Sequence, residues 1–257
     1  MAEKKEKRSA FRFEVCANSI KSCIAAQQGG ADRIELCSGL ADGGLTPSYA
    51  MIEEARKVLN IKLHVIIRPR GGDFLYSPQE LDIMANDIRM AHELKADGVV
   101  FGCLTQEGDV DTDACKRLIE AAGDMSITFH RAFDCCRNPE KNLNNLIYLG
   151  VNRILTSGLA SSAEEGIPLL QSLNRLANGN IILLAGCGVN ESNIARIYEQ
   201  TGIHEYHFSA RESYPSLMKY HNPNVYMGLP GTDEYRTEET SAEKVKRTIQ
   251  ALVSTLS

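Results

Sequence analysis

Short β-branched apolar runs alternate with helical patterns along most of the chain, and this alternation most constrains what it can fold into. Strands are predicted at Phe11–Ala17, Arg33–Cys37, Lys62–Arg68, Gly98–Cys103, Ser126–Ala132, Arg153–Thr156, Asn180–Gly186 and Glu205–Ser209. Helices fill the gaps at Ser19–Gln28, Pro47–Leu59, Pro78–Leu94, Asp111–Ala121, Pro139–Leu149, Ser162–Ala177 and Glu191–Gln200. Thr46-Pro47, Ser77-Pro78 and Asn138-Pro139 each set a capping side chain before a proline suited to the first helical position. Strands separated by helices run parallel, because only a crossover returns the chain to the same edge.

A weak internal repeat sharpens this reading. Gly30-Ala31-Asp32-Arg33-Ile34-Glu35-Leu36 resembles Gly150-Val151-Asn152-Arg153-Ile154-Leu155 and Gly202-Ile203-His204-Glu205-Tyr206-His207-Phe208, and Lys95-Ala96-Asp97-Gly98-Val99-Val100-Phe101 is a looser copy. Each marks a helix end turning into an even-numbered strand, with glycine suited to the helix C-cap in three of them. Eight such units in 257 residues have the size of a closed (β/α)8 barrel rather than an open doubly wound sheet. The fold class is therefore α/β: a single TIM-like barrel over residues 11–257, preceded by a polar tail at 1–10. After the eighth strand, Glu212–Glu239 is polar and proline-punctuated, so a long loop is expected there before a last helix at Ser241–Leu252. Loops of that length in compact domains serve as lids or contacts, or are mobile.

Composition narrows the function. With 28 basic and 33 acidic side chains the formal charge is −5, which leaves no basic footprint for nucleic acid. The longest apolar runs, such as Ile181–Ala185, are too short to span a bilayer. The N-terminal residues carry charge with no apolar stretch behind them, so export is not expected and the eight cysteines should stay reduced in the cytoplasm. None of them forms the paired CxxC units of a structural zinc site.

Polar residues inside strands are the anomaly. Alternation puts Glu14 with Cys16, Glu35 with Cys37, His64 with Arg68 and Arg70, Thr128 with His130, and His207 with Ser209 and Arg211 on common faces. If these faces point inward, the barrel's upper interior holds carboxylates, imidazoles and guanidiniums that must be paired to be buried. Glu14 and Glu35 would then partner Arg68 or Arg70, or serve the site at the strands' C-terminal ends. Two segments suit an anion: Gly186-Cys187-Gly188 after strand 7 with Ser209-Ala210-Arg211 after strand 8, and Arg68-Pro69-Arg70-Gly71-Gly72 after strand 3. Cys16 and Cys37 each stand two residues beyond a Glu on neighbouring strands, which lie about 4.8 Å apart. Two such sulfurs facing one cavity suit a soft ion such as Cu(I).

At these segments the sequence resembles the CutC family of copper homeostasis proteins. Phe13-Glu14-Val15-Cys16, Gly29–Gly39, Ile67–Phe74, Thr128-Phe129-His130-Arg131-Ala132-Phe133-Asp134, Leu155-Thr156-Ser157-Gly158 and Ser209-Ala210-Arg211 match its pattern in order, over about residues 11–228. The resemblance implies a TIM-like barrel, a cytoplasmic protein and a role in copper handling, with the family's suggested copper thiolates on Cys16 and Cys37. The chain departs from the family at Lys95 and Cys187, where glycine is usual, and at Cys135-Cys136.

Two functions follow. One is copper homeostasis through Cu(I) on Cys16 and Cys37. The other is a lyase or isomerase acting on a small phosphorylated or carboxylated substrate, held by Arg68, Arg70, Gly186, Gly188, Ser209 and Arg211, with Glu35 or His130 as acid or base. A blander possibility is an adaptor or homo-oligomer that associates through residues 212–239.

Overall fold

The computed structural model describes residues 8–225 and 233–256. Eight parallel strands close into a barrel: β1 (Arg12–Ala17), β2 (Arg33–Leu36), β3 (Lys62–Ile66), β4 (Gly98–Phe101), β5 (Ser126–Phe129), β6 (Arg153–Thr156), β7 (Ile182–Ala185) and β8 (Glu205–Phe208), with β8 pairing back onto β1. Helices α1 (Ile20–Gly29), α2 (Tyr49–Val58), α3 (Pro78–Glu93), α4 (Thr112–Ala122), α5 (Pro139–Tyr148), α6 (Ile167–Ala177), α7 (Ile194–Thr201) and α8 (Ala242–Val253) follow the strands in turn. Their apolar faces bury Ile52, Met84, Leu118, Leu146, Leu173 and Ile197 against the outward-facing strand residues. No helix among the described residues is long and apolar enough to cross a membrane.

The repeat has a physical cause at the bottom of the barrel. The Asp32 carboxylate accepts the Phe13 N–H at 2.8 Å, Asp97 accepts Leu63 N–H at 2.9 Å, and the Asn152 amide oxygen accepts Ile127 N–H at 2.7 Å. The backbone N–H of the same residue returns the bond, to Phe13 O, Leu63 O and Ile127 O respectively. An Asp or Asn before each of these even strands thus closes the ladder onto the preceding strand. Gly30, Gly150 and Gly202 take left-handed backbone at the preceding helix ends, and Lys95 does so without being glycine, at φ 62°.

Several boundaries differ from expectation. Most strands stop before the predicted end, so Cys37, Arg68, His130 and Ser209 lie beyond the named strands. Cys37 and His130 are last rungs, donating their N–H to Ala17 O and Phe101 O before the chain turns over the rim. Ser77 and Asn138 cap as expected, Ser77 in a reciprocal capping box with Glu80. Thr46 does not cap α2. Ser48 does, while Thr46 Oγ1 accepts the Arg68 N–H. Helix α6 begins at Ile167 rather than Ser162, because the chain first crosses itself at Gly158 and Gly166, where a Cβ on Gly166 would lie 1.7 Å from Ser157 O.

The loop expected over Glu212–Glu239 is in part a two-stranded antiparallel arm, β9 (Arg211–Pro215) against β10 (Arg236–Thr240). Residues 226–232 of that loop lie outside the described residues, as do residues 1–7 of the expected tail. Arg8, the first described residue, is docked rather than free: it pairs with Asp32 at 2.9 Å and lies over the Phe13 ring.

Candidate functional site

The inward-facing residues divide into two layers. The lower one is ionic. Arg33 at the head of β2 pairs with Glu14 of β1 and, at 2.7 Å, with Glu205 of β8. Arg153 of β6 approaches Glu205 at 3.4 Å and donates to Ser126 Oγ at 2.7 Å. His64 completes the layer, its Nδ1 3.9 Å from Glu14. Burial pushes the His64 imidazole down to about 3, so it stays neutral. Burial would raise the Glu14 carboxyl, but Arg33, His207 and His64 together hold it well below the usual carboxylate range. The expected pairing of Glu14 and Glu35 with Arg68 or Arg70 does not form. Arg33 sits at the strand's base, in register with Glu14 and 2.7 Å from Glu205, and takes that place.

Above this layer a cavity of about 360 Å³ opens at the C-terminal ends of the strands. Cys16, Cys37, Glu35 and His207 line it, with Arg68, His130 and Arg211 also in its wall. The two Sγ atoms lie 3.6 Å apart and both cysteines are free thiols. Their hydrogen bond, together with burial, holds the Cys16 thiol well above its ordinary value. Burial raises Glu35 to about 8, against the opposing pull of His207. Burial alone would neutralise His207, yet Glu35, Cys16 and Glu14 raise it well above the ordinary imidazole value. Its Nδ1 lies 2.7 Å from Glu14 Oε1 and its Nε2 3.8 Å from Glu35 Oε2, so this ring joins the two layers.

Each interior imidazole sits against a glycine. A Cβ on Gly98 would fall 2.6 Å from His64 Nε2, and one on Gly102 would fall 2.6 Å from His130 Nδ1. Gly186 lies beside His207 more loosely, with His207 Cβ 3.2 Å from such a Cβ, and its tight neighbour is Leu155 Cδ1 at 2.5 Å. The Gly186 N–H is donated to Thr156 O in the ladder, so it is not held for an anion as the sequence suggested.

The remaining predicted residues scatter. Arg68 lies in the wall, where its two terminal nitrogens donate to the carbonyls of Asp42, Gly44 and Gly72 and pin the loops, while its buried Nε has no partner among the described residues. Arg70 is outside the cavity, paired with Glu80 at 2.5 Å and bonded to the carbonyls of Asp73 and Leu75. With only Arg68 lining the cavity, the two arginines form no clamp there. Gly188 and Ser209 line a separate shallow depression, and Arg211 borders both. Arg211 donates to Cys16 Sγ at 3.7 Å and meets no carboxylate within 4 Å among the described residues.

His130 caps the short turn Arg131–Cys135 through Nδ1, which accepts the Ala132 N–H. Burial, with Arg68 nearby, pushes it down to about 3, and its Nε2 has no partner. Glu35 Oε1 likewise has none.

Sequence reasoning missed the ionic lower layer, although charged residues head β2, β6 and β8. It also missed Asp134, which accepts from Arg131, Thr156 and Ser157 and anchors two rim loops.

The sequence profile of the CutC family matches residues 11–212. A CutC family protein of Bacteroides thetaiotaomicron is 60% identical over 248 residues, 95% of this chain and 99% of that one. The human copper homeostasis protein cutC homolog is 44% identical over 249 residues, 96% of this chain and 91% of that one. The crystal structure of the CutC protein of Streptococcus agalactiae superposes with a TM-score of 0.75 at 36% identity, covering 77% of this chain and 98% of that one.

Proposed function

The chain belongs to the CutC family, and from that premise we propose that it serves copper homeostasis by taking up Cu(I) between Cys16 and Cys37. The observation that carries this is the 3.6 Å between the two thiols at the base of an open cavity. Soft thiolates are the donors that select Cu(I). Two metal–sulfur bonds of about 2.3 Å reach across that gap when bent to about 100°. Uptake releases thiol protons, and the raised Cys16 thiol makes it weaken as pH falls. Thiols that take up Cu(I) must be reduced, and on that reading we place the protein in the cytoplasm.

The test is an anaerobic Cu(I) titration against a competing chelator, with wild type beside Cys16→Ser/Cys37→Ser. One-to-one binding that disappears in the variant supports the reading, and equal loss of copper to the chelator overturns it.

A second reading is acid–base chemistry on a small carboxylate or phosphate. Its support is Glu35, held near 8 in a cavity whose rim cation Arg211 has no carboxylate partner among the described residues. A carboxylate and phosphate ester set that leaves the melting temperature unchanged counts against it.

A further inference from the structure

Cys16, Glu35 and His207 bring one sulfur, one carboxylate oxygen and one imidazole nitrogen within 4.8 Å of one another, and all three line the cavity. Their surroundings are those of metal ligands. The Glu14 carboxylate, 2.7 Å from His207 Nδ1, orients the ring and leaves Nε2 directed to the Glu35 side. A carboxylate behind a ligating imidazole is the usual support of a zinc-bound histidine, because it fixes the tautomer and makes the other nitrogen a better donor. Glu35 is 4% exposed, and its Oε1 has no hydrogen-bond partner. Buried carboxylate oxygens are rarely left unmet, and a cation would meet this one.

The spacing also suits a metal. Zinc bonds of about 2.0–2.3 Å at tetrahedral angles set nitrogen and oxygen ligands about 3.4 Å apart and sulfur about 3.6 Å from either. The 3.8 Å between His207 Nε2 and Glu35 Oε2 closes to that with a shift of a few tenths of an ångström.

We propose that Cys16, Glu35 and His207 form a three-donor site for a borderline divalent cation, Zn2+ above all, with a further position open to the cavity. One sulfur, one nitrogen and one oxygen are too soft a set for Mg2+ or Ca2+, which take oxygen alone. Three protein donors with an open position is the arrangement of catalytic rather than structural zinc. Arg211, beside Cys16 and without a carboxylate partner among the described residues, makes an anionic oxygen the ligand favoured at that position. The site shares Cys16 with the copper reading but does not use Cys37, and it stands or falls separately.

The experiment uses the full chain under reducing, anaerobic conditions, with Co2+ as the spectroscopic probe and Zn2+ as competitor. Wild type is expected to bind one Co2+ with a sulfur-to-cobalt charge-transfer band that one equivalent of Zn2+ removes. Cys16→Ser should abolish the band. Glu35→Gln and His207→Gln should each weaken binding about tenfold or more. Cys37→Ser should keep the band while losing Cu(I). A folded wild type without the band overturns the proposal whatever the variants do. So does a band that Cys37→Ser abolishes, or an affinity unchanged in both Glu35→Gln and His207→Gln. Cu(I) binding lost with Co2+ binding retained in wild type would sink the copper reading alone.

Discussion

The lower interior of the barrel and its mouth are built from the same residue types and finished differently. Below, both acids meet arginine: Glu14 pairs with Arg33, and Glu205 with Arg33 and Arg153. Above, Glu35 Oε1 and His130 Nε2 have no partner, the thiols of Cys16 and Cys37 are unbridged, and Arg211 faces no carboxylate among the described residues. Charge inside a barrel therefore does not by itself mark a site. What separates the layers is whether each carboxylate meets an arginine: below, Glu14 and Glu205 do, although His64 Nδ1 and Arg153 Nε are left without hydrogen-bond partners among the described residues, and above, Glu35 does not. The lower layer trades the usual apolar filling of such barrels for ion pairs, which are weak sources of stability but costly to break.

That contrast breaks first at Arg33. Arg33→Met takes the arginine partner from Glu14 and leaves Glu205 with Arg153 alone, and a loss of about 3–5 kcal/mol in urea unfolding at neutral pH is expected. A loss below about 1 kcal/mol would mean that the lower acids find other partners and that the two layers are alike after all.

Acid tests both layers at once, because His64 lies in one and His130 in the other. Each is held near 3 when folded, against an ordinary value of 6.5. Between those values the unfolded chain binds protons that the folded one refuses, so stability is full above about pH 6.5 and falls as pH drops toward 3. Each histidine contributes a slope of about 1.4 kcal/mol per pH unit over that range. His130→Gln should remove one such slope. A pH dependence identical to wild type would show that this imidazole is not buried neutral.

The barrel was legible in the sequence because its signal is periodic: alternating runs, and a repeat whose Asp32, Asp97 and Asn152 each close a strand ladder. The repeat predicts its own test. Asn152→Ala leaves the Ile127 N–H without its acceptor, which should cost about 1–3 kcal/mol. An unchanged midpoint would reduce the repeat to a coincidence of helix ends. The site was legible only in part. Parity put Glu35, Cys16, Cys37 and His207 at one mouth, but it cannot distinguish an arginine that faces a ligand from one that holds a loop. The terminal nitrogens of Arg68 and Arg70 go to backbone carbonyls and Arg70 Nε to Glu80, and that depends on where Asp42, Gly72 and Leu75 pass in space. Glycine misled for a related reason. The segment at Gly186 reads as a phosphate turn, while its N–H goes to Thr156 O and its missing Cβ makes room for Leu155.

Arg211 gives the smallest expected change in stability and so the sharpest separation of the layers. It is half-buried at the rim, its one contact with the site is a long bond to Cys16 Sγ, and no acid depends on it. Arg211→Gln should shift unfolding by no more than about 0.5 kcal/mol, against the several expected for Arg33→Met. If the mouth is left open for a ligand, the same change should still alter what the cavity binds: a cation nearer the thiols should bind more tightly, and a small anion more weakly. A large loss of stability would instead show that the rim, like the floor, is closed on itself, and that the cavity's unmet groups are not held for a guest.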